Sequence, residues 1–172
     1  MDRFALGILV ALATVATATP AAAATFVVPS VEAMARASDA VVRGQVVDVA
    51  SRAVAGGRIV TEVELAVASA WKGAPDATVR FVVPGGRAGG LALKVDSAPT
   101  FAPGEEVVLF LSRSGATWRV NGQALGTFRV EGTAARAAVE GARTLPGALA
   151  AGERRAGTMP VDELERRVRA AR

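Results

Sequence analysis

The stretch TVRFVVPGGRAGGLALKVDSAPTFAPGEEVVLFLS, from Thr78 to Ser112, decides the fold. It begins with apolar residues at alternate positions 79, 81 and 83, which predict a strand with one buried face. It ends in the apolar run VVLFL at positions 107–111, which is typical of a strand covered on both faces. Between them lie two glycine pairs and a proline–glycine turn, which predict a long ordered loop. Two buried strands joined in this way predict the centre of a small β-barrel or sandwich.

The flanking segments predict further short strands and a helix near each end. Residues 40–50 and 59–68 are predicted strands joined by a glycine turn, and Gly44 inside the first indicates a bulge or a sharp bend at a barrel corner. Two more strands are predicted at 117–121 and 127–131, with weak edge pairing at 136–139. Ser30 is suited to cap a short helix, and Pro160 to begin a last one. The apolar stripe of that helix predicts that it docks on the β domain or on a partner.

These elements predict a mainly β fold: a small OB-like Greek-key barrel of five to seven strands with a short N-terminal helix and a C-terminal helix. The predicted organisation is a signal peptide at 1–24, the barrel at 25–140, a linker at 141–158 and the C-terminal helix at 159–172. The linker is assigned because its Gly, Ala, Arg and Pro show no sustained period.

The first 24 residues predict export from the cytoplasm. Arg3 supplies a positive start, positions 4–15 form an apolar core, and Ala22 and Ala24 give the small-x-small pattern of a cleavage site. Cleavage after Ala24 would leave Thr25 as the first mature residue, in the periplasm or outside the cell. The alternative is a retained anchor, because the apolar stretch extends to about 20 residues if the alanines are included.

The charge balance argues only weakly for an anionic partner. The isoelectric point is near 10.9, but His, Cys and Tyr are absent, so a net charge of only +4 is enough to raise it. Residues 143–172 hold 7 basic and 4 acidic side chains, so the excess lies at the C-terminal end. A solvated helix face explains that excess, and contact with an anionic envelope surface is the alternative.

Several segments, in their order, resemble known exported proteins. SDAVVRGQVVDV (38–49), TEVELAVASAWKG (61–73), VPGGRAGG (83–90) and PTFAPGEEVVLFL (99–111) resemble a family of uncharacterised exported bacterial proteins. More remotely, they resemble the OB-fold domains of the netrin and tissue-inhibitor-of-metalloproteinase type. The resemblance implies the fold over about residues 38–130. Those inhibitors act through an N-terminal cysteine and use disulfides, so their inhibitory mechanism does not carry over to a chain without cysteine.

The residue types present exclude several reaction classes. Without His or Cys there is no Ser-His-Asp or Cys-His machinery and no ordinary structural zinc site, and no Walker loop occurs. Asp96-Ser97-Ala98 matches an aspartic-protease loop poorly, since Gly is needed at its third position and a second copy is needed. A Ser/Lys dyad remains formally open, pairing Lys94 or Lys72 with Ser97 or Ser69.

The glycine-rich loop is the strongest candidate site. Gly85, Gly86, Gly89 and Gly90 would let backbone N–H groups face a ligand, and Arg87 would hold a carboxylate or phosphate. The alternative is a connecting loop whose glycines serve only the backbone geometry.

Two weaker candidates remain. Glu105 and Glu106 would bind calcium together with Asp96, or else form an exposed turn. Trp71 and Trp118 would form a stacking surface, or else be core residues.

The sequence therefore predicts a non-catalytic, exported domain that binds a protein or an envelope component, without cofactor or metal. The alternatives are an anion- or nucleic-acid-binding OB domain and, less favoured, a hydrolase that uses Ser/Lys or carboxylates. Nucleic-acid binding would need a basic groove with exposed aromatics, whereas aromatics form only 5% of the chain.

Overall fold

The computed structural model describes residues 25–115, 117–139, 143–146 and 149–171; the predicted signal peptide lies outside them. The described chain is mainly β, as the sequence predicts. Its strands are β1 (Thr25–Val28), β2 (Ala40–Val54), β3 (Arg58–Lys72), β4 (Thr78–Pro84), β5 (Gly86–Ala88), β6 (Leu91–Leu93), β7 (Glu106–Ser114), β8 (Thr117–Val120), β9 (Thr127–Glu131), β10 (Ala134–Ala137), β11 (Arg143–Pro146) and β12 (Thr158–Pro160). Its helices are α1 (Val31–Arg36), α2 (Val161–Ala170) and the short 3₁₀ helix η1 (Gln123–Gly126).

The main sheet holds eight strands in the order β12-β10-β9-β7-β2-β3-β4-β8. Its longest pair is β2–β3, two strands of 15 residues joined by the predicted glycine turn, in which Gly56 and Gly57 both have positive φ. The register of this pair shifts between Arg43 and Gly44, as expected for a bulge at Gly44. A Cβ there would lie 2.3 Å from the carbonyl oxygen of Ala66, so the two backbones approach too closely for any other residue.

Strand β8 pairs with both ends of the four-strand series β7-β2-β3-β4. It pairs antiparallel with β7 over four residue pairs, and it pairs with β4 in parallel at Phe81 and Trp118. The pairings therefore run β7-β2-β3-β4-β8 and return to β7. Strands β9, β10 and β12 continue from β7 as a separate extension of the sheet.

The core has two layers, because the apolar runs of β2 and β7 place side chains on both faces. Val42 and Leu109 belong to one cluster, which is enclosed by β2, β3, β4, β7 and β8. Val41 and Phe110, their chain neighbours, belong to the other cluster, under the two helices. This explains why the run at 107–111 is fully buried rather than alternating.

Both helices begin where the sequence predicts. The Oγ atom of Ser30 accepts a hydrogen bond from the backbone N–H of Ala33 at 3.0 Å, which caps α1. Helix α2 follows Pro160 and buries the predicted stripe of Val161, Leu164 and Val168 against the second cluster. The C-terminal helix therefore docks on the β domain of its own chain.

Three features differ from the sequence-based expectations. The loop after Pro84 contains the hairpin β5–β6, whose strands are only three residues long and, in β6, exposed throughout. The predicted edge pairing at 136–139 is instead strand β10, which lies between β9 and β12. Within the segment predicted as a linker, β11 pairs in parallel with β1. With eight strands, the main sheet also exceeds the five to seven strands that the sequence predicts for the fold.

Candidate functional site

The β5–β6 hairpin is fixed to the β2–β3 pair at its base. The hydroxyl of Thr61 donates to the carbonyl oxygen of Gly85 at 2.7 Å, and the N–H of Gly85 donates to the carbonyl oxygen of Ile59 at 2.9 Å. Gly86 lies against the side chains of Ser51 and Thr61, where an added Cβ would be 2.3 and 2.4 Å from their hydroxyl oxygens. Only a glycine lets the chain pass so close at a φ of +125°.

A cavity of about 620 Å³ lies between this hairpin, the loop that follows it and the β-sheet. Val49 and Val83 form part of its floor and also contact the cluster enclosed by β2, β3, β4, β7 and β8. Phe101 closes one side, and its ring meets that of Phe81 edge-to-face with a centroid separation of 5.3 Å. Leu125 and Val139 contribute to another wall. The inner surface is thus mainly apolar.

The charged lining of the cavity is mostly basic. Arg87, Lys94 and Asp96 contribute to the wall and are exposed to solvent. Arg129 enters the wall from β9, and its guanidinium donates to the carbonyl oxygen of Thr100 at 3.0 Å. Three cationic side chains and one carboxylate therefore surround an apolar floor, which is a chemistry suited to an anionic ligand.

The predicted loop residues divide into two groups. Gly85, Gly86 and Arg87 contribute to the cavity wall, whereas Gly89 and Gly90 form the turn at the tip of the hairpin. The N–H of Gly85 already donates within the fold, so that glycine serves the backbone geometry.

Two of the three acidic residues proposed as calcium ligands pair with arginines, whereas Asp96 lies in the cavity wall. The carboxylate of Glu106 pairs with Arg43 at 2.7 Å, and that of Glu105 lies 3.8 Å from Arg129 and accepts from the N–H of Ala102. No group of three or more metal-ligating side chains occurs among the described residues. The geometry thus assigns Glu106 to an ion pair between β7 and β2, and Glu105, directly before β7, to an ion pair with Arg129 of β9.

The Ser/Lys pairs have structural partners. The hydroxyl of Ser97 donates to Oε1 of Gln123 at 2.7 Å, rather than to Lys94. The ammonium of Lys72 donates to the carbonyl oxygen of Ala35 at 2.7 Å, so it satisfies the C-terminal end of α1. Ser69 accepts a hydrogen bond from the indole of Trp71. No hydrogen bond joins either of these lysines to either serine, as nucleophile activation would require.

The two tryptophans do not form a common stacking surface. Trp71 is completely buried under the helices, whereas Trp118 is half-buried in the other cluster, with the guanidinium of Arg113 4.4 Å from its ring centroid. Among the residues whose side chains are described, every aromatic ring is buried or half-buried.

Three residues of the cavity lining were not predicted from the sequence as site residues. Arg129, Thr61 and Ser51 reach the cavity from strands that are distant in sequence. Arg129 sits in the strand predicted at 127–131 from its inward-facing Phe128 and Val130, and its own role had no signal there. Its neighbourhood depends on the β7–β9 register, which no local pattern specifies.

The basic C-terminal residues are largely paired within the chain. Arg167 bonds Glu32 of α1 at 2.8 Å and Glu163 at 3.0 Å, and Arg154 bonds Glu163 at 2.9 Å. These hydrogen bonds raise the pKa of Arg167 and lower the pKa of Glu163. The pKa of Glu153 is also lowered, first by its hydrogen bond from Arg36. The network joins α1, α2 and the segment between β11 and β12.

Comparison of the chain with protein-family models, with curated proteins and with solved structures finds no match. Among the described residues, no helix has both the length and the apolar character needed to cross a membrane.

Proposed function

We propose that the chain is an exported, non-catalytic β domain that binds a protein or another component of the cell envelope. The binding face is the β5–β6 hairpin with the cavity beneath it. The observation that supports this proposal best is the cavity of about 620 Å³, which combines an apolar floor with Arg87, Lys94 and Arg129 in its wall. Ligand sites are typically concave, mainly apolar and supplied with a few polar groups.

The same proposal includes an OB-like Greek-key barrel as the scaffold. The cyclic pairing order β7-β2-β3-β4-β8-β7 supports it, because a sheet that closes removes its exposed edges. The resemblance to netrin and tissue-inhibitor domains is consistent with that order. The scaffold would hold the hairpin rigidly at one end of the β2–β3 pair.

Export rests on the first 24 residues, with their apolar core and the Ala22-x-Ala24 pattern. N-terminal sequencing of the protein recovered from fractionated host cells tests it. We expect Thr25 as the first residue in the periplasmic or extracellular fraction. Recovery of an uncleaved chain in the membrane fraction would favour the retained anchor.

A second candidate function is the binding of small anions alone. The excess of Arg87, Lys94 and Arg129 over Asp96 in the cavity wall favours it. Nucleic-acid binding is less well supported, since stacking platforms need exposed aromatic rings and the described rings are covered. Anion binding through these cations should weaken steeply as salt is raised.

Site-specific photo-crosslinking in the producing cell tests the binding face. A photoreactive residue replaces Leu91 on the hairpin, which is 70% exposed; the matched control replaces Val47 on β2, which is 46% exposed. We expect a discrete adduct from position 91 only, and we expect it to be lost when Arg87 and Lys94 are changed to Gln. Equal adducts from both positions, or none from either, would contradict the proposal.

A further inference from the structure

The geometry points to a ligand class for this cavity: an amphiphile with one anionic head group, carboxylate or phosphate, and an apolar body. This inference rests on the binding function proposed above and specifies what is bound. The cavity volume of about 620 Å³ lies inside the usual range of small-molecule sites.

The floor of the cavity requires the apolar body. Val83 is 5% exposed and Val49 and Phe101 are partly buried, and all three lie against the apolar cluster enclosed by the strands. Water in contact with such a surface gains few hydrogen bonds, so an apolar group that displaces it binds favourably. An inorganic anion without an apolar part would leave this apolar surface in contact with water.

The wall of the cavity requires the anionic head. Arg87 and Lys94 are exposed, and neither makes an ion pair with any other residue that the structure describes. Arg129, on β9, is oriented by its hydrogen bond to Thr100 and lies 3.8 Å from the carboxylate of Glu105, so Arg87 and Lys94 are the cations available to the head group. Cations beside an apolar surface favour a charged group that accepts hydrogen bonds in a site partly screened from water.

The position of the cations next to the floor distinguishes this ligand from its alternatives. A neutral amphiphile would cover the apolar floor but would leave Arg87 and Lys94 without an anionic partner. A polynucleotide would use the cations but find no exposed ring among the described side chains on which to stack. Only a molecule with an apolar body and an anionic head group contacts both the apolar floor and the cations of the wall.

Calorimetric titration of the full-length chain tests this inference. Four probes are used below their micelle concentrations: dodecanoate, dodecyl phosphate, dodecanol and inorganic phosphate. We expect at least one of the two anionic amphiphiles to bind, about tenfold or more tightly than both dodecanol and inorganic phosphate. Comparing dodecanoate with dodecyl phosphate then identifies the preferred head group.

Matched variants locate the binding. Arg87→Gln with Lys94→Gln removes two charges from the cavity wall, and Arg58→Gln with Arg119→Gln removes two exposed charges elsewhere. We expect about tenfold weaker binding for the first pair and no change for the second. Ala92→Trp places a large ring in the cavity and should abolish binding, whereas Ala68→Trp, at another exposed strand position, should not.

The outcomes separate this inference from the function on which it rests. Any one of three results would overturn the ligand class. These are equal affinity in all variants, equal affinity for dodecanol and the anionic amphiphiles, and no binding of either anionic probe. If crosslinks from position 91 still form in that case, the binding function stands without this ligand. If those crosslinks are absent as well, both proposals fail.

Discussion

The hydroxyl of Thr61 donates a hydrogen bond to the carbonyl oxygen of Gly85 across 2.7 Å, and Thr61 is only 8% exposed. This contact joins β3 to the base of the β5–β6 hairpin. The hydroxyl of Ser51 lies 2.8 Å from the same oxygen of Thr61, so a short polar chain fixes the hairpin to two strands. The binding face proposed above depends on this attachment.

Thr61→Val should destabilise the protein by about 1–3 kcal/mol, because it leaves the buried carbonyl of Gly85 without this hydrogen bond. Chemical denaturation measures the loss, and hydrogen exchange of the hairpin amides should accelerate more than that of β7. Thr117→Val is the control, since that hydroxyl donates to Ser114 at an exposed turn, and it should change stability by about 0.5 kcal/mol or less. Equal effects of the two changes would contradict the role given to Thr61.

Gly86→Ala should cost about 2–4 kcal/mol, because the new methyl meets two hydroxyl oxygens and the φ of +125° disfavours an L side chain. Gly90→Ala is the control: its φ of +78° carries a backbone cost of about 1–2 kcal/mol, but nothing lies within 4 Å of the added methyl. Adding Ser51→Ala to Gly86→Ala should recover part of the loss. Additive losses in that double variant would show that Ser51 is not the obstacle.

Leu164→Ala tests whether α2 is part of the folded domain. Leu164 is completely buried against the β-sheet, so its truncation should cost about 2–5 kcal/mol in unfolding free energy. Leu149→Ala is the control, since Leu149 is 37% exposed and should cost about 0.5 kcal/mol or less. A loss at Leu164 no larger than that at Leu149 would mean that α2 stabilises the β domain little.

The strands that contribute most of the core were predictable from the sequence. The alternation in β3 and β4 and the apolar run in β7 follow directly from which side chains face a core, and Ser30 and Pro160 locate the helix starts. Gly44 was predictable as an irregular position because a strand glycine has few other uses.

The hairpin and the cavity were not predictable from local patterns. Residues 91–93 are all exposed, so β6 lacks any alternation, and its pairing with β5 depends on the turn at Gly89 and Gly90. Arg129 reaches the cavity only because β9 pairs with β7, and the parallel pairing of β1 with β11 joins residues far apart in sequence. Such long-range registers decide which charges converge, and the sequence carries no short-range signal for them.

The pH dependence of stability should change in Glu163→Gln. Glu163 accepts hydrogen bonds from Arg167 and Arg154, and the bond from Arg167 is the largest cause that lowers the pKa of its carboxyl group from the ordinary value of 4.5. A lowered pKa means that the charged carboxylate favours the folded state. That stabilisation is complete above about pH 4.5 and is lost as the pH falls through the lowered value. The wild-type chain should therefore be more stable than the variant at pH 7, and the difference should disappear in strong acid.

Thermal unfolding of the wild-type chain and the variant from pH 7 down to pH 2 measures this difference. Glu62→Gln is the matched control, because the partner of Glu62 is Arg52 and both side chains are more than half exposed, so that pair should contribute little at pH 7. A stability gap between the wild-type chain and Glu163→Gln that persisted unchanged at pH 2 would show that the amide disturbs packing. In that case the network of Arg167, Glu163 and Glu32 would not stabilise the junction of α1 and α2 through its charges.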